Sequence, residues 1–177
     1  VMNIYSEKKM LDTSQLTSQF ENGEEVTITL QYPSDSIMTT ISSLTSKILL
    51  RLNKPFLLDS IITIIRELIL NAAKANAKRV YFKNKKLNIN DIDEYTEGMS
   101  KFKVIVNNFE KFRKDIIDDN YIVQFKIKLL DTCIQIKIRN NAPIVQIEKE
   151  RIEERIKASK ECDNFSTAYN KVFDSTE

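Results

Sequence analysis

Three polar side chains with complementary chemistry recur at helical spacing in a mainly apolar stretch, residues 55–80. Glu67, Asn71 and Lys74 occupy positions i, i+4 and i+7, which lie within about 60° of one another on one face of an α-helix. Carboxylate and amide oxygens one turn apart suit Mg²⁺, a hard cation that takes few protein ligands and completes its shell with other oxygens. Lys74 adds a point charge on the same face. These residue types are therefore the first candidates for a functional site.

The surrounding stretch predicts a long helix that is buried nearly all round. Pro55 suits its first turn, and apolar side chains cover most of its circumference at 100° per residue. The remaining polar strip either faces a little solvent or lines a polar pocket. It contains Ser60, Thr63, Glu67, Asn71, Lys74 and Lys78. Residues 79–82, with the sequence RVYF, predict a short strand after the helix.

The segments before this helix predict a strand and a second helix. Residues 1–24 are polar and indicate a tail or a short amphipathic lead-in. Residues 25–32 alternate apolar and polar side chains, as in a half-buried strand. Residues 37–52 show helical spacing, and Ser34, Asp35 or Ser36 would cap that helix.

The segments after it predict an insertion, a hairpin and two helices. Residues 83–120 are charged and contain a helix at about 100–117. Residues 121–130 and 132–139 alternate as two antiparallel strands with a tight turn near Asp131. Residues 147–160 form a charged helix, and residues 164–177 again have helical spacing. We therefore expect an α+β, two-layer sandwich, with a mixed sheet and helices packed on one face. Residues 25–177 would form a single domain.

Composition excludes several classes of function. A net charge of +2 is too small to indicate a nucleic-acid partner. No apolar run is long enough to span a membrane, and no signal peptide is recognisable, which predicts a cytoplasmic protein with reduced cysteines. The chain has no histidine, so it lacks the commonest general base and cannot itself carry a phosphohistidine. With only two glycines, it has no glycine-rich phosphate loop.

The sequence ELILNAAK, residues 67–74, resembles the N-box of the GHKL ATPase superfamily. That superfamily includes sensor histidine kinases, anti-sigma-factor kinases, type II topoisomerases and mismatch-repair ATPases, which share the Bergerat fold. The order of elements is also similar, because a helix precedes the N-box helix and a strand ending in a loop follows. The resemblance covers residues 25–177 without the insertion, and it implies that the last helix and strand of the domain lie beyond this sequence.

The resemblance implies a role for each site residue. Asn71 would bind Mg²⁺ through its side-chain oxygen, and Glu67, as the catalytic residue, would hold or polarise a water near the γ-phosphate of ATP. Lys74 would contact the phosphates. Phosphoryl transfer depends mainly on such positioning and on neutralising charge.

The adenine end departs from the family pattern. Asn140 stands where the family has an aspartate that accepts a hydrogen bond from the adenine amino group, and Ala142 replaces the first glycine of the glycine box. An amide oxygen still accepts this bond, although without the strength that charge adds. The loop containing Asn140 and Ala142 is either an altered nucleotide pocket or an ordinary turn after a strand.

The resemblance thus implies the ATP-binding catalytic domain of a two-component histidine kinase, which transfers the γ-phosphoryl group of Mg-ATP to a histidine on another domain or chain. Its partner would be a phosphoacceptor domain or a response regulator. Two alternatives remain open. One is an anti-sigma-type Ser/Thr kinase or regulator, and the other is a degenerate GHKL module that binds a protein partner without catalysis.

Overall fold

Antiparallel pairing joins three strands in the order β1–β2–β3. The computed structural model describes residues 12–131 and 133–160, and its strands are β1 Val26–Leu30, β2 Val123–Leu129 and β3 Ile134–Asn140. The expectation of a mixed sheet is wrong for these residues, because β3 follows β2 as a hairpin and β1 runs antiparallel along the other edge of β2. The predicted hairpin and the α+β class are confirmed.

Six α-helices accompany the sheet in the described residues. They are α1 Thr13–Glu21, α2 Asp35–Arg51, α3 Leu58–Lys85, α4 Ile92–Ile105, α5 Arg113–Asp118 and α6 Gln146–Lys160. Short 3₁₀ segments at Pro55–Leu57 and Val106–Phe112 precede α3 and α5. The predicted helix at residues 164–177 lies outside the described residues. None of the described helices is long and apolar enough to cross a membrane.

One face of the sheet carries the core. The alternation of β2 buries Val123, Phe125 and Ile127, while Gln124 and Lys126 point to the other face. In register, Phe125 lies between Ile28 of β1 and Ile138 of β3. The apolar sides of α1, α2 and α3 cover this face and form one cluster with it. The sheet and the helices packed on its apolar face form two layers, and the polar face of the sheet carries no helix among the described residues.

The start of the chain and α2 contribute to this core. The Ser34 side chain caps α2, so of the three candidates expected from the sequence, Ser34, Asp35 and Ser36, the first makes the capping bond. The described part of the expected lead-in contains α1, which begins after the capping side chain of Asp12. Leu16 and Phe20 of α1 are buried in the core cluster.

Helix α3 continues past the predicted strand at residues 79–82, so that prediction is wrong. Tyr81 and Phe82 are buried within the helix, where they contact Phe102 and Tyr95 of the inserted segment. Branched and aromatic side chains favour strands only weakly, and packing against a second apolar cluster overrides that preference here. The helix ends at Lys85, and the next residue, Lys86, adopts a left-handed conformation that caps it.

The expectation that α3 is buried nearly all round is also wrong. Ile64 is 56% exposed and Leu68 is 47% exposed, whereas Ile65 and Ile69 are buried. Among the described residues, α3 contacts the sheet and α2 along one side in this half, so its opposite side remains uncovered. The helix therefore has a buried face and an exposed face, and both carry apolar side chains, so composition alone does not distinguish them.

The insertion at residues 83–120 folds as two helices, with a 3₁₀ segment between them, instead of one helix at 100–117. Its aromatic side chains form the second apolar cluster together with the end of α3. Gly98 of α4 lies so close to this cluster that an added Cβ would be 2.5 Å from Cζ of Phe82. The insertion thus provides the surface on which the last three turns of α3 remain helical.

Candidate functional site

A cavity of about 400 Å³ lies beyond the end of β3, between α3, α4 and α6. Asn140 and Ala142 line it from the strand end and the following loop, and Ala75 lines it from α3. Its volume lies within the range of small-molecule sites. Two residues of the adenine end suggested by sequence therefore lie in one cavity.

Five basic side chains from three helices line this cavity. They are Lys78 and Arg79 of α3, Lys103 of α4, and Arg151 and Arg155 of α6. Among the described lining residues, Glu148 is the one carboxylate. Apolar surface comes from Tyr95, Met99, Ile144 and Ile152. An excess of positive charge beside apolar walls suits an anionic ligand that also has an apolar part.

Glu148 binds both basic residues that α3 contributes. Its Oε1 accepts a hydrogen bond from Arg79 at 3.0 Å, its Oε2 pairs with the same guanidinium, and Lys78 forms a further ion pair. Burial alone would raise the pKa of the Glu148 carboxyl, but the hydrogen bonds from Arg79 and Lys78 outweigh it and lower that pKa to about 2. Glu148 is therefore ionised at neutral pH and ties α6 to α3.

Arg79 also fixes the loop between β3 and α6. Its Nε donates to the carbonyl oxygen of Pro143 at 3.2 Å, and its guanidinium is largely buried. Asn141 anchors the same loop, since its Oδ1 accepts from the backbone N–H of Ile122 at 2.8 Å and its Nδ2 donates to Asn120. Side-chain hydrogen bonds thus fix the conformation of this loop, whereas glycines would leave its backbone more freedom.

Asn140 makes its own contacts with α3. Its Nδ2 donates to Oδ1 of Asn76 at 3.2 Å and to the carbonyl oxygen of Ala72 at 3.4 Å. Asn76 is fully buried, and its Nδ2 donates to the carbonyl oxygen of Ile122 at 3.2 Å. Both donors of this amide pair face protein atoms, and Oδ1 of Asn140 has no partner within the described part of the chain.

Glu67, Asn71 and Lys74 lie on α3 outside the cavity lining. Glu67 and Asn71 are exposed and Lys74 is half-buried, and within the described residues their side chains make no hydrogen bond or ion pair. Asn71 is one turn, about 6 Å, before the cavity residue Ala75. The structure therefore places the predicted site residues in two neighbouring groups, one lining the cavity and one along the helix that leads from it.

Asn71 and Glu67 could contribute two oxygens to a magnesium ion whose other ligands come from a bound phosphate and water. Within the described part of the chain, the side-chain oxygens of Asn71 and Glu67 have no partner, and they are hard donors of the kind that Mg²⁺ prefers, one turn apart. The described residues contain no group of three or more acidic, histidine or cysteine side chains that would hold a metal ion alone. Phosphate and water oxygens would have to complete the coordination.

The sequence did not identify Asn76, which is buried beside the cavity and bonds to Asn140, or Glu148, which lines the cavity. Asn76 stands in an alanine-rich stretch, and Glu148 stands in a helix whose many charges indicate a solvated surface. Lys78 was visible as the last member of the polar strip, and it does line the cavity. A buried asparagine cannot be recognised from the local sequence, because groups distant in the sequence must pair with its donors and acceptor.

Comparisons with known proteins leave the family open. No family model matches the chain, and no solved structure matches it. An uncharacterized protein of Treponema pallidum (strain Nichols) is 25% identical over 169 residues, which is 95% of this chain and 33% of that protein. The chain thus spans about one third of the length of the relative it matches.

Proposed function

We propose that this chain is the ATP-binding catalytic domain of a histidine-kinase-like signalling protein in the cytoplasm. It would bind Mg-ATP and donate the γ-phosphoryl group to a histidine outside this chain. Its protein partner would be a phosphoacceptor domain or a response regulator. The observation that carries the proposal is the basic cavity at the end of β3. Asn140 and Ala142 line it, and Asn71 lies one turn away on α3.

The cavity supports the proposal through the parts of a nucleotide that it suits. Oδ1 of Asn140 would accept a hydrogen bond from the adenine amino group, and Met99 and Ile144 would offer apolar surface to the base. Lys78 and Lys103 would attract the phosphates. These contacts orient the nucleotide and neutralise its charge, which is most of what phosphoryl transfer requires.

Residues along α3 would then act at the terminal phosphate. Asn71 would hold Mg²⁺, Lys74 would contact the phosphates and Glu67 would accept a hydrogen bond from the group that approaches the γ-phosphate. When bound, Mg²⁺ neutralises charge on the phosphate oxygens. Because this sequence has no histidine, the acceptor must come from outside it.

Titration calorimetry with Mg-ATP, Mg-ADP and adenosine tests the binding step. We expect both nucleotides to bind and adenosine to bind more weakly, because the cations act on the phosphates. Lys103→Ala should weaken ATP binding, whereas Lys101→Ala, two residues away and paired with Glu97 at the surface, should not. No heat and no thermal shift at millimolar Mg-ATP would contradict the proposal.

A second candidate function is favoured by the ion pairs of Glu148. This carboxylate already binds Lys78 and Arg79, so part of the positive charge in the cavity is neutralised without a ligand. In this alternative the chain binds a protein partner without phosphoryl transfer. Nucleotide binding without transfer to candidate histidine or serine acceptors would favour it, and transfer to serine instead would indicate the anti-sigma-type kinase.

A further inference from the structure

The side-chain amides of Asn76 and Asn140 are linked by hydrogen bonds that all run in one direction. The series begins at the carbonyl oxygen of Ile122, which accepts from Nδ2 of Asn76 at 3.2 Å, and continues through Oδ1 of Asn76, which accepts from Nδ2 of Asn140 at 3.2 Å. Asn76 is fully buried, so leaving either of its polar ends unpaired would be costly.

The direction of these hydrogen bonds determines how the Asn140 amide is turned. If Asn140 reversed, its Oδ1 would face Oδ1 of Asn76 and the carbonyl oxygen of Ala72, which are both acceptors. If Asn76 reversed to compensate, its oxygen would face the carbonyl oxygen of Ile122. Each reversal replaces hydrogen bonds by contacts between acceptors. Asn140 is therefore held with its donor toward α3, and its oxygen has no partner among residues 12–131 and 133–160.

This matters because an amide is not symmetric. A carboxylate presents an acceptor whichever way it is turned, whereas an asparagine presents a donor or an acceptor according to its orientation. We propose that Asn76 is a positioning residue that holds Asn140 as an acceptor in the cavity and so selects a purine with an amino group at position 6 over one with a carbonyl group there. The inference rests on the proposed nucleotide site.

Three nucleotides test the inference on the unmodified chain, by competition calorimetry in the presence of Mg²⁺. They are ATP, purine riboside triphosphate, which has only hydrogen at position 6, and inosine triphosphate, which has a carbonyl group there. A locked acceptor predicts that ATP binds best, purine riboside triphosphate less well and inosine triphosphate worst, with about tenfold between the first and the last.

Other orders would overturn the inference in recognisable ways. Equal binding of ATP and inosine triphosphate, both tighter than purine riboside triphosphate, would mean that the amide turns freely. Equal binding of all three would mean that Asn140 does not contact the base, while the proposed function would stand. If none of the three binds, the proposed function itself fails.

The variant Asn76→Ala provides the second arm. It removes the bond that orients Asn140, so we expect the ratio of inosine triphosphate to ATP dissociation constants to fall from about ten to about one to two. Asn84→Ala is the matched control, since Asn84 is an exposed amide on the same helix that bonds to Asp115, and it should leave the ratio unchanged. An unchanged ratio in folded Asn76→Ala would overturn the role of Asn76. If that variant does not fold, the order of the three nucleotides on the unmodified chain decides.

Discussion

Arg79 holds Glu148 with both terminal nitrogens of its guanidinium, and this buried pair joins α3 to α6 across the cavity. Arg79 also donates to the carbonyl oxygen of Pro143, so one side chain connects the helix, the loop after β3 and the following helix. The same guanidinium lines the cavity. Stability of the α6 region and the charge available to a ligand therefore depend on one pair of residues.

Removal of the Glu148 charge should destabilise the chain. Glu148→Gln would leave Arg79 and Lys78 facing a neutral group, and breaking a buried ion pair by changing one partner costs about 3–5 kcal/mol. Urea unfolding should therefore show a clear loss for this variant. Glu150→Gln, an exposed change in the same helix, should lie within about 0.5 kcal/mol of the original chain. Equal stability of the two variants would mean that the Glu148 pair contributes nothing to folding.

The same carboxylate predicts how stability depends on pH. Its pKa in the folded chain is lowered to about 2, whereas that of an unfolded glutamate is about 4.3. The contribution of Glu148 is therefore fully present above the unfolded pKa, and it is lost as the pH falls from about 4.3 toward 2. Unfolding free energies measured across this range should fall more steeply for the original chain than for Glu148→Gln. Parallel curves would contradict the assignment.

Asn71→Ala should separate metal binding from folding. The side chain is exposed and makes no hydrogen bond or ion pair within the described residues, so the melting temperature should change little. If Asn71 holds Mg²⁺, the variant should bind Mg-ATP more weakly and should lose most of the difference between titrations with Mg²⁺ and with a chelator. Thr63→Ala, an exposed change two turns earlier in α3, is the control. A large drop in melting temperature for Asn71→Ala would instead mean a structural role.

Local patterns predicted those elements whose own residues determine them. Alternation identified β2 because one of its faces is buried and the other is polar. A run of three capping candidates marked the start of α2, and Ser34 is the one that makes the capping bond. Residues 79–82 were misassigned because Tyr81 and Phe82 are buried by a segment distant in sequence. Asn76 and Glu148 were missed for the same reason, since their partners, Asn140 and Arg79, are more than 60 residues away. Of the site residues expected from the sequence, Asn140 and Ala142 line the cavity and Glu67, Asn71 and Lys74 do not, and the contacts that orient Asn140 were not predicted.

The two faces of α3 offer a direct test of its burial with adjacent residues of the same type. Ile65 is 3% exposed and belongs to the core, while its neighbour Ile64 is 56% exposed. Ile65→Ala would leave a cavity beside the sheet and should cost about 2–5 kcal/mol, as other buried isoleucines do. Ile64→Ala removes a side chain that water already contacts and should cost less than about 1 kcal/mol. Both changes have the same effect on helix propensity, so the difference between their urea midpoints isolates burial. Similar losses for the two variants would show that something covers Ile64 in solution, and α3 would then be buried on both sides, as its composition alone suggests.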